Sequence, residues 1–326
     1  MAVHLLDDFA LGVEDSSGSP PPCLARLLSD LSFHCDTDAR SAPTAVIHVD
    51  RVAAGVGAPA SARPLFQLAS LCAFEDAGDV YLTVQAAVMR VPRDGSIAGA
   101  WIAPQFFDQD VLVRQRFWAY GVTRLLRARG LFALHAATIV SPGGAGVIVA
   151  GASGSGKSTL AIGLIRSGWS FLSDDAVLLR HTPAAVDALA LRVPFSIDSD
   201  ASGRYADLRL GAAARGQKRR ADLHATHASQ YRARCTPCVL VFPHIIRAPR
   251  SSLQPLTRAA TLGRLLEHSG PVLFDRRTMS EHLATLRDLA VQAPAYDLCA
   301  GADVHADPAV VIDLLRTAEG STVWPG

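Results

Sequence analysis

The segment Gly151-Ala-Ser-Gly-Ser-Gly156-Lys157-Ser158 fits the pattern G-x-x-x-x-G-K-[ST]. The apolar run Val147–Ala150 precedes it and an amphipathic segment, Ser158–Ser167, follows. A buried strand before and a helix after are what give this pattern its physical content. Its glycines let the chain turn with positive φ and bring backbone amides against phosphate oxygens. A helix opening at Ser158 points its positive end at the same anion. The expected binding residues are Gly151, Ser153, Gly154, Ser155, Gly156, Lys157, Ser158 and Thr159. Lys157 is expected on the β- and γ-phosphates and the Ser158 hydroxyl on Mg²⁺. The implied ligand is a nucleoside triphosphate.

Three further positions could turn binding into chemistry. Asp174 and Asp175 follow the loop, separated from it by a helix and a short strand that return the chain to the same sheet edge. One acid there can hold Mg²⁺ and a second can accept a proton from an attacking hydroxyl. Ser-Asp-Asp between two strands is also ordinary turn composition. His135 sits on the strand before the loop. If Ser141–Gly146 closes a hairpin with Val140 opposite Val147, His135 falls opposite Ala152, beside the phosphate loop. Of 31 basic side chains only Lys157 and Lys218 are lysines. Lys218 stands in the densest positive run, with Arg215, Arg219 and Arg220, then Arg232 and Arg234. Such a run can neutralise charge on a transferring phosphoryl group, or it can be a solvated loop. Cys235-Thr-Pro-Cys238 is a C-x-x-C pair. Zinc would need two more ligands, and His224, His227 or His244 could be imagined in that role; a cysteine opening a buried strand is the simpler reading.

Neither lysine lies in a guanine-reading N/T-K-x-D motif, and no LSGGQ-like signature or apolar strand ending in Asp-Glu occurs, which argues against a GTPase or a transporter-type ATPase.

The elements that must position these residues begin with a region of strands. Candidates are Thr44–Val52, Val80–Val91 and Ile97–Ile102, with a short helix at Cys23–Leu31 and turn chemistry at Pro92–Gly95. A helix is expected from Asp110 as N-cap to Arg129, ended by Gly130. Leu131–Val140 reads as one strand, Val147–Ala150 as a second, and Trp169–Leu172 and Ala176–Arg180 flank the acidic pair. Beyond the basic stretch come a buried strand, Cys238–Phe242, and helices at Thr257–His268, Ser280–Ala290 and Pro308–Thr317. The domain boundary is expected just before the long helix. Residues 1–107 then form a small accessory sheet or lid, with a role in substrate recognition as one option, and 108–326 the catalytic domain.

Composition narrows the class. The chain has 326 residues, 49% hydrophobic and 19% charged, so a large core is available. Net charge is +1, which gives no basis for wholesale attraction to nucleic acid or an anionic membrane, and neither is expected as a partner. No apolar run reaches membrane-spanning length, the first residues carry acids where a secretory signal has bases, and six cysteines are few for a disulfide scaffold. A cytoplasmic location is the expectation.

Leu134-His135-Ala136-Ala137, the loop GASGSGKST, Gly168-Trp169 and Leu172-Ser173-Asp174-Asp175 together resemble the catalytic domain of HPr kinase/phosphorylase and the related kinases around it. The resemblance is strong over Leu131–Arg180 and continues more weakly to Pro294-Ala-Tyr296-Asp-Leu298. It implies an α/β fold: a P-loop kinase core with a mixed central sheet flanked by helices, preceded by a β-rich or α+β accessory region. It also implies ATP- and Mg²⁺-dependent phosphorylation of a seryl hydroxyl on a protein or peptide. By matching position, Asp174 is the base at that hydroxyl, and Asp175 and His135 support it and the metal. Lys157 and Lys218 complete the expected catalytic set, and Ser158 with Asp175 the expected metal ligands. The Gly-rich signature with an Ile-Ile-Asp core found in the bifunctional enzymes is absent, since 191–197 reads LRVPFSI. The resemblance therefore does not extend to the phosphorylase reaction or to HPr as acceptor. A small-molecule kinase and a non-catalytic nucleotide sensor remain alternatives, and self-association is left open.

Overall fold

A computed structural model describes residues 1–31, 33–35, 42–191, 194–197, 205, 207–211, 218–270 and 277–319. The architecture is mixed α/β, with large mixed sheets flanked by helices. The chain forms two compact units, Met1–Leu131 with Leu273–Thr278, and Phe132–Val272 with Met279–Gly326.

In the first unit the strands are β1 (Ala2–Leu6), β2 (Phe9–Asp15), β3 (His34–Cys35), β4 (Ala45–Arg51), β5 (Arg63–Leu68), β6 (Leu71–Asp76), β7 (Asp79–Val84), β8 (Ala87–Val91) and β9 (Ile97–Ile102). They make one sheet in the order β3-β1-β2-β4-β9-β8-β7-β6-β5. The pairs β2–β4 and β4–β9 are parallel and the others antiparallel. Alternation is clear in β4, where Ala45, Ile47 and Val49 point inward, and in β7, where Val80, Leu82 and Val84 do. The run Val80–Val91, expected as one strand, is a hairpin instead: Ala86 takes a left-handed φ of 66° and turns the chain between β7 and β8.

Helix α1 (Pro22–Asp30) carries proline in its first turn. Helix α2 (Val111–Arg127) starts where Asp110 accepts a 2.7 Å hydrogen bond from the Leu112 amide, and Gly130, at φ 71°, terminates the segment. It buries Phe117, Trp118, Val122 and Leu125 and packs on β6, β7 and β8. That packing ties the helix to the N-terminal sheet. The compact unit runs to Leu131, and the boundary expected at 107/108 falls inside it. The sheet is also far larger than a small accessory one.

The second unit opens with β10 (Leu131–Leu134), β11 (Ala136–Val140) and β12 (Gly146–Ala150), then α3 (Lys157–Arg166). Strands β13 (Ser170–Ser173), β14 (Val177–His181), β15 (Val186–Ala190), β16 (Phe195–Ile197) and β17 (Arg219–Ala221) follow, with the short helix α4 (Leu223–Thr226). Next come β18 (Arg234–Cys235), β19 (Pro237–Ile245), β20 (Ser252–Pro255), α5 (Arg258–Glu267), α6 (Met279–Gln292), β21 (Ala295–Ala300), α7 (Ala302–Ala306) and α8 (Val310–Glu319). The central sheet has the order β13-β11-β12-β19-β21-β20, parallel for β12–β19 and β19–β21. A smaller sheet runs β10-β14-β15-β18. Strand β12 is buried on both faces, which is why it reads as a continuous apolar run. On one face Val147 and Val149 meet Leu160, Ala161 and Ile165 of α3. On the other, Ile148 and Ala150 meet Leu265 of α5 and Leu286 and Leu289 of α6. Among the described residues no helix is long and apolar enough to cross a membrane.

Candidate active site

The hairpin that brings His135 near the loop is one residue tighter than its expected form. Ser141 and Ala145 close the turn on each other: the Ser141 amide donates to the Ala145 carbonyl at 2.9 Å, and the Ser141 hydroxyl accepts from the Ala145 amide at 3.0 Å. Gly146 therefore joins β12 and pairs with Val140, so the ladder runs to Ala136 opposite Ala150. The expected pairing of Val140 with Val147, and of His135 with Ala152, does not occur. A shift of one residue reverses which face a side chain takes. His135 leaves the ladder instead, between β10 and β11, where its amide donates to the His268 carbonyl at 2.7 Å.

From that break His135 reaches two site residues. Its Nε2 lies 3.2 Å from Lys157 Nζ and its Nδ1 2.7 Å from the Asp175 carbonyl oxygen. An ammonium can only donate, so Nε2 accepts and Nδ1 carries the ring proton toward Asp175. The carbonyl it meets belongs to a residue in the left-handed region, Asp175 at φ 67°. The Asp175 carboxylate is 3.6 Å from the same ring nitrogen and partly open to solvent.

Asp174 faces the other way. It is fully buried, and both its oxygens accept from the Ser158 hydroxyl, at 2.8 and 2.9 Å. The Ser196 amide adds a third bond at 2.8 Å. Burial pushes its carboxyl up to about 6; the Ser196 hydrogen bond opposes that rise and the neighbouring Asp175 charge adds to it. The expected metal pair was Ser158 with Asp175. The geometry joins Ser158 to Asp174, because the backbone turn at Asp175 sends the two adjacent side chains in opposite directions.

The loop itself runs from the end of β12 to α3. Gly154 and Gly156 have φ of 83° and 95°, with nothing crowding the positions where side chains would begin; the need for glycine here is conformational. Gly156 is the N-cap of α3, and no side chain caps it, which leaves the first amides of the helix, at Lys157, Ser158 and Thr159, directed at an incoming anion. Lys157 is buried, with its Nζ donating to the carbonyls of Gly151 at 2.7 Å and Ala152 at 3.1 Å. Burial holds its ammonium below the ordinary lysine value, and the charges of Asp175 and Asp174 partly restore it. Lys218 Nζ donates to the Ser153 hydroxyl at 3.3 Å, so the second lysine does reach the phosphate loop. The arginines around it diverge. Arg219 bonds the Gly211 carbonyl and Arg232 the carbonyls of Ser229 and Tyr231, while Arg215 lies outside the described residues.

Two tests of fit support a polyphosphate with Mg²⁺. The Ser155 hydroxyl, inside the loop, is buried and has no hydrogen-bond partner among the described residues. Such an orphan in an amide-rich cradle is a group that an oxyanion entering the loop could complete. The hard oxygens of Ser158 and Asp174 suit a cation that takes only one or two protein ligands and finds the rest in phosphate and water, which is the habit of Mg²⁺.

His268 was not legible as a site residue. It ends α5, stacks on Phe242, and enters the site through its backbone carbonyl. Burial first, then the nearby His135 and Lys157, lowers the pKa of its ring. Ser196 likewise acts through its amide, which no side-chain pattern reveals. Cys235 and Cys238 lie at the opposite end of β19 from the loop.

Neither a family model nor a curated protein sequence matches this chain. Solved structures do match, among them the HPr(Ser) kinase/phosphatase from Coxiella burnetii, at 13% identity and a TM-score of 0.33, over 57% of this chain and 89% of that one.

Proposed function

We propose that this chain is a phosphotransferase that uses ATP and Mg²⁺ to phosphorylate a seryl hydroxyl of a protein or peptide. The observation that carries the reading is the contrast between two adjacent carboxylates. Asp174 is buried and bonded to the Ser158 hydroxyl of the phosphate loop; Asp175 is partly open and stands beside His135 and Lys157. Pairs of acids with opposed environments are a mark of divided roles. In this reading Asp174 and Ser158 hold the metal, which reverses the roles that matching position alone implied for the two acids. Asp175 takes the proton of the attacking hydroxyl. His135 fixes the left-handed turn at Asp175 by donating to its carbonyl.

The amides from Gly154 to Thr159 receive phosphate oxygens, and Lys157 turns from the Gly151 and Ala152 carbonyls to the same charge. Lys218, already at Ser153, adds a second cation on the open side of the loop. Mg²⁺, when bound, supplies Lewis-acid stabilisation of charge on the phosphoryl oxygens. The acceptor class and the choice of ATP rest on the sequence resemblance described above.

The test is phosphopeptide mapping in source-cell extract given labelled ATP, Mg²⁺ and native protein, D175N or D174N. Native protein should label serines. D175N should retain Mg²⁺-dependent nucleotide binding and lose roughly 10²–10⁴-fold in turnover, the span of a general base. D174N should lose the Mg²⁺ dependence of binding. Label confined to small metabolites would transfer the acceptor to a different chemical class, and full turnover by D175N would refute its role as base.

A further inference from the structure

The order of the central sheet gives the phosphate loop two sides. On one side of β12 stand β11 and β13, with His135 just before β11 and the acidic pair just after β13. A triphosphate in the loop has its transferring end there, beside the groups proposed for the metal and the proton. Its ribose and base then leave toward the other side, where β19 and β21 end. Strand β19 comes close to the loop. A side chain begun at Gly151 would lie 3.4 Å from the Pro243 carbonyl, and one begun at Gly156 would lie 4.0 Å from Ile245 Cγ1. Ile245 follows Val239 and Val241 in the alternation that faces α3, yet it is 51% exposed.

The chain after Ile245 is pinned across the end of β21. The Ile246 amide donates to the Ala300 carbonyl, and the Ala302 amide to the Ala248 carbonyl, both at 2.9 Å. Ser251 donates to Asp303 from its amide, at 3.0 Å, and from its hydroxyl, which in turn accepts from the Gly301 amide at 2.7 Å. A side chain begun at Gly301 would lie 2.7 Å from the Ala248 carbonyl oxygen and 2.8 Å from that of Arg250, so this close approach requires glycine. The pinned segment presents two exposed arginines, Arg247 and Arg250. Among the described residues neither is paired with an acid. A segment already fixed in place loses little freedom when a ligand settles on it.

We infer that Ile245 with Arg247 and Arg250 forms the nucleoside subsite, the isoleucine packing on the base and the guanidinium groups stacking on its π face. Guanidinium is planar and weakly hydrated and stacks on aromatic faces, as a compact, strongly hydrated ammonium does not. An apolar contact and a stack read the area of a base more than its edge pattern, so purine triphosphates are favoured over pyrimidine ones. The absence of a guanine-reading N/T-K-x-D motif agrees with recognition by the face. This subsite rests on the reading that the loop binds a nucleoside triphosphate, and it names what holds the nucleoside.

The experiment is calorimetric titration of the full chain with ATP, CTP and inorganic tripolyphosphate, each with Mg²⁺. Native protein should bind ATP about tenfold more tightly than tripolyphosphate, with CTP between them. I245A should lose about tenfold in affinity for ATP. A double variant carrying R247K and R250K keeps both charges, removes the planar groups, and should lose about threefold. Neither variant should change the binding of tripolyphosphate, which a disturbed fold or loop would weaken as well. Equal native affinity for ATP and tripolyphosphate, CTP bound as tightly as ATP, or unchanged ATP binding by I245A would each overturn the inference. So would a loss in either variant that is the same for ATP and tripolyphosphate. All four results leave the loop as a phosphate site. Native protein that binds none of the three ligands refutes the reading of the loop, and the subsite with it.

Discussion

Burial drives the Asp174 carboxyl from its ordinary 3.8 up to about 6, so over that interval the folded chain holds a proton that the unfolded chain releases. For an acid raised in this way, the stabilising contribution is complete below 3.8 and is lost as pH climbs through about 6. Ionised Asp174 at pH 8 therefore destabilises the fold. D174N keeps a carbonyl oxygen for the Ser196 amide and removes the charge. It is expected to melt higher than native protein at pH 8, by about 2–3 kcal/mol, with the gap closing at pH 4. Thermal melts at the two pH values check this, and an equal gap at both would mean that burial of charge is not the source. In the proposed role Asp174 must lose this proton before it can hold Mg²⁺, so Mg²⁺-dependent nucleotide binding should weaken as pH falls below about 6. Lys157 offers a complementary test. Its Nζ bonds two loop carbonyls in this structure. K157A should lose at least about 100-fold in triphosphate affinity by titration with little change in melting temperature, since an ion bonded to phosphate contributes several times more than one bonded to neutral carbonyls. Tight binding by K157A would refute the role given to the loop. The loop and both acids were legible in the sequence because pattern and spacing are local. That the two acids face opposite ways was not. It depends on the left-handed backbone at Asp175, a conformation that Asp tolerates but does not announce.

At the scale of elements, α3 shows how a motif and its support differ in legibility. Its start follows from Gly156 and the loop, and its apolar residues mark a buried helix. Its packing partner is long-range. A side chain begun at Gly163 would meet Pro308 Cγ at 2.2 Å and Cβ at 2.7 Å, so the end of the chain before α8 lies directly on this helix. Helix propensity alone would make G163A stabilising, by about 0.5–1 kcal/mol. Against a rigid proline ring the expected outcome is the reverse, a loss of about 1–3 kcal/mol in denaturant unfolding. A gain in stability would show that the contact is absent in solution. The same distinction explains the two strand errors. Val80–Val91 reads as one β segment because nothing in its composition marks Gln85-Ala86 as a turn. Likewise, the Ser141–Ala145 closure that fixes the register of β11 on β12 depends on a serine hydroxyl bonding back into its own turn, and neighbouring registers differ by a single residue.

For the molecule as a whole, strands were easier to find than their neighbours. The order of the nine-stranded sheet puts β4 between β2 and β9, both parallel to it, and such pairings need crossovers whose path no local pattern dictates. The N-terminal unit also draws on distant sequence. Arg127, in the last turn of α2, is buried and donates to the Thr278 hydroxyl at 2.9 Å across 151 positions of chain. Arg277, beside it, pairs with Glu75 on β6. A fragment ending at Leu131 would therefore lack part of its own packing, whatever its strands can do alone. T278V isolates the effect, because valine keeps the shape of threonine and removes the acceptor. A hydrogen bond to a charged group contributes about 1.5–3 kcal/mol, and its loss should appear as faster amide exchange in α2. Unaltered exchange in α2 would mean that Arg127 is held by other partners.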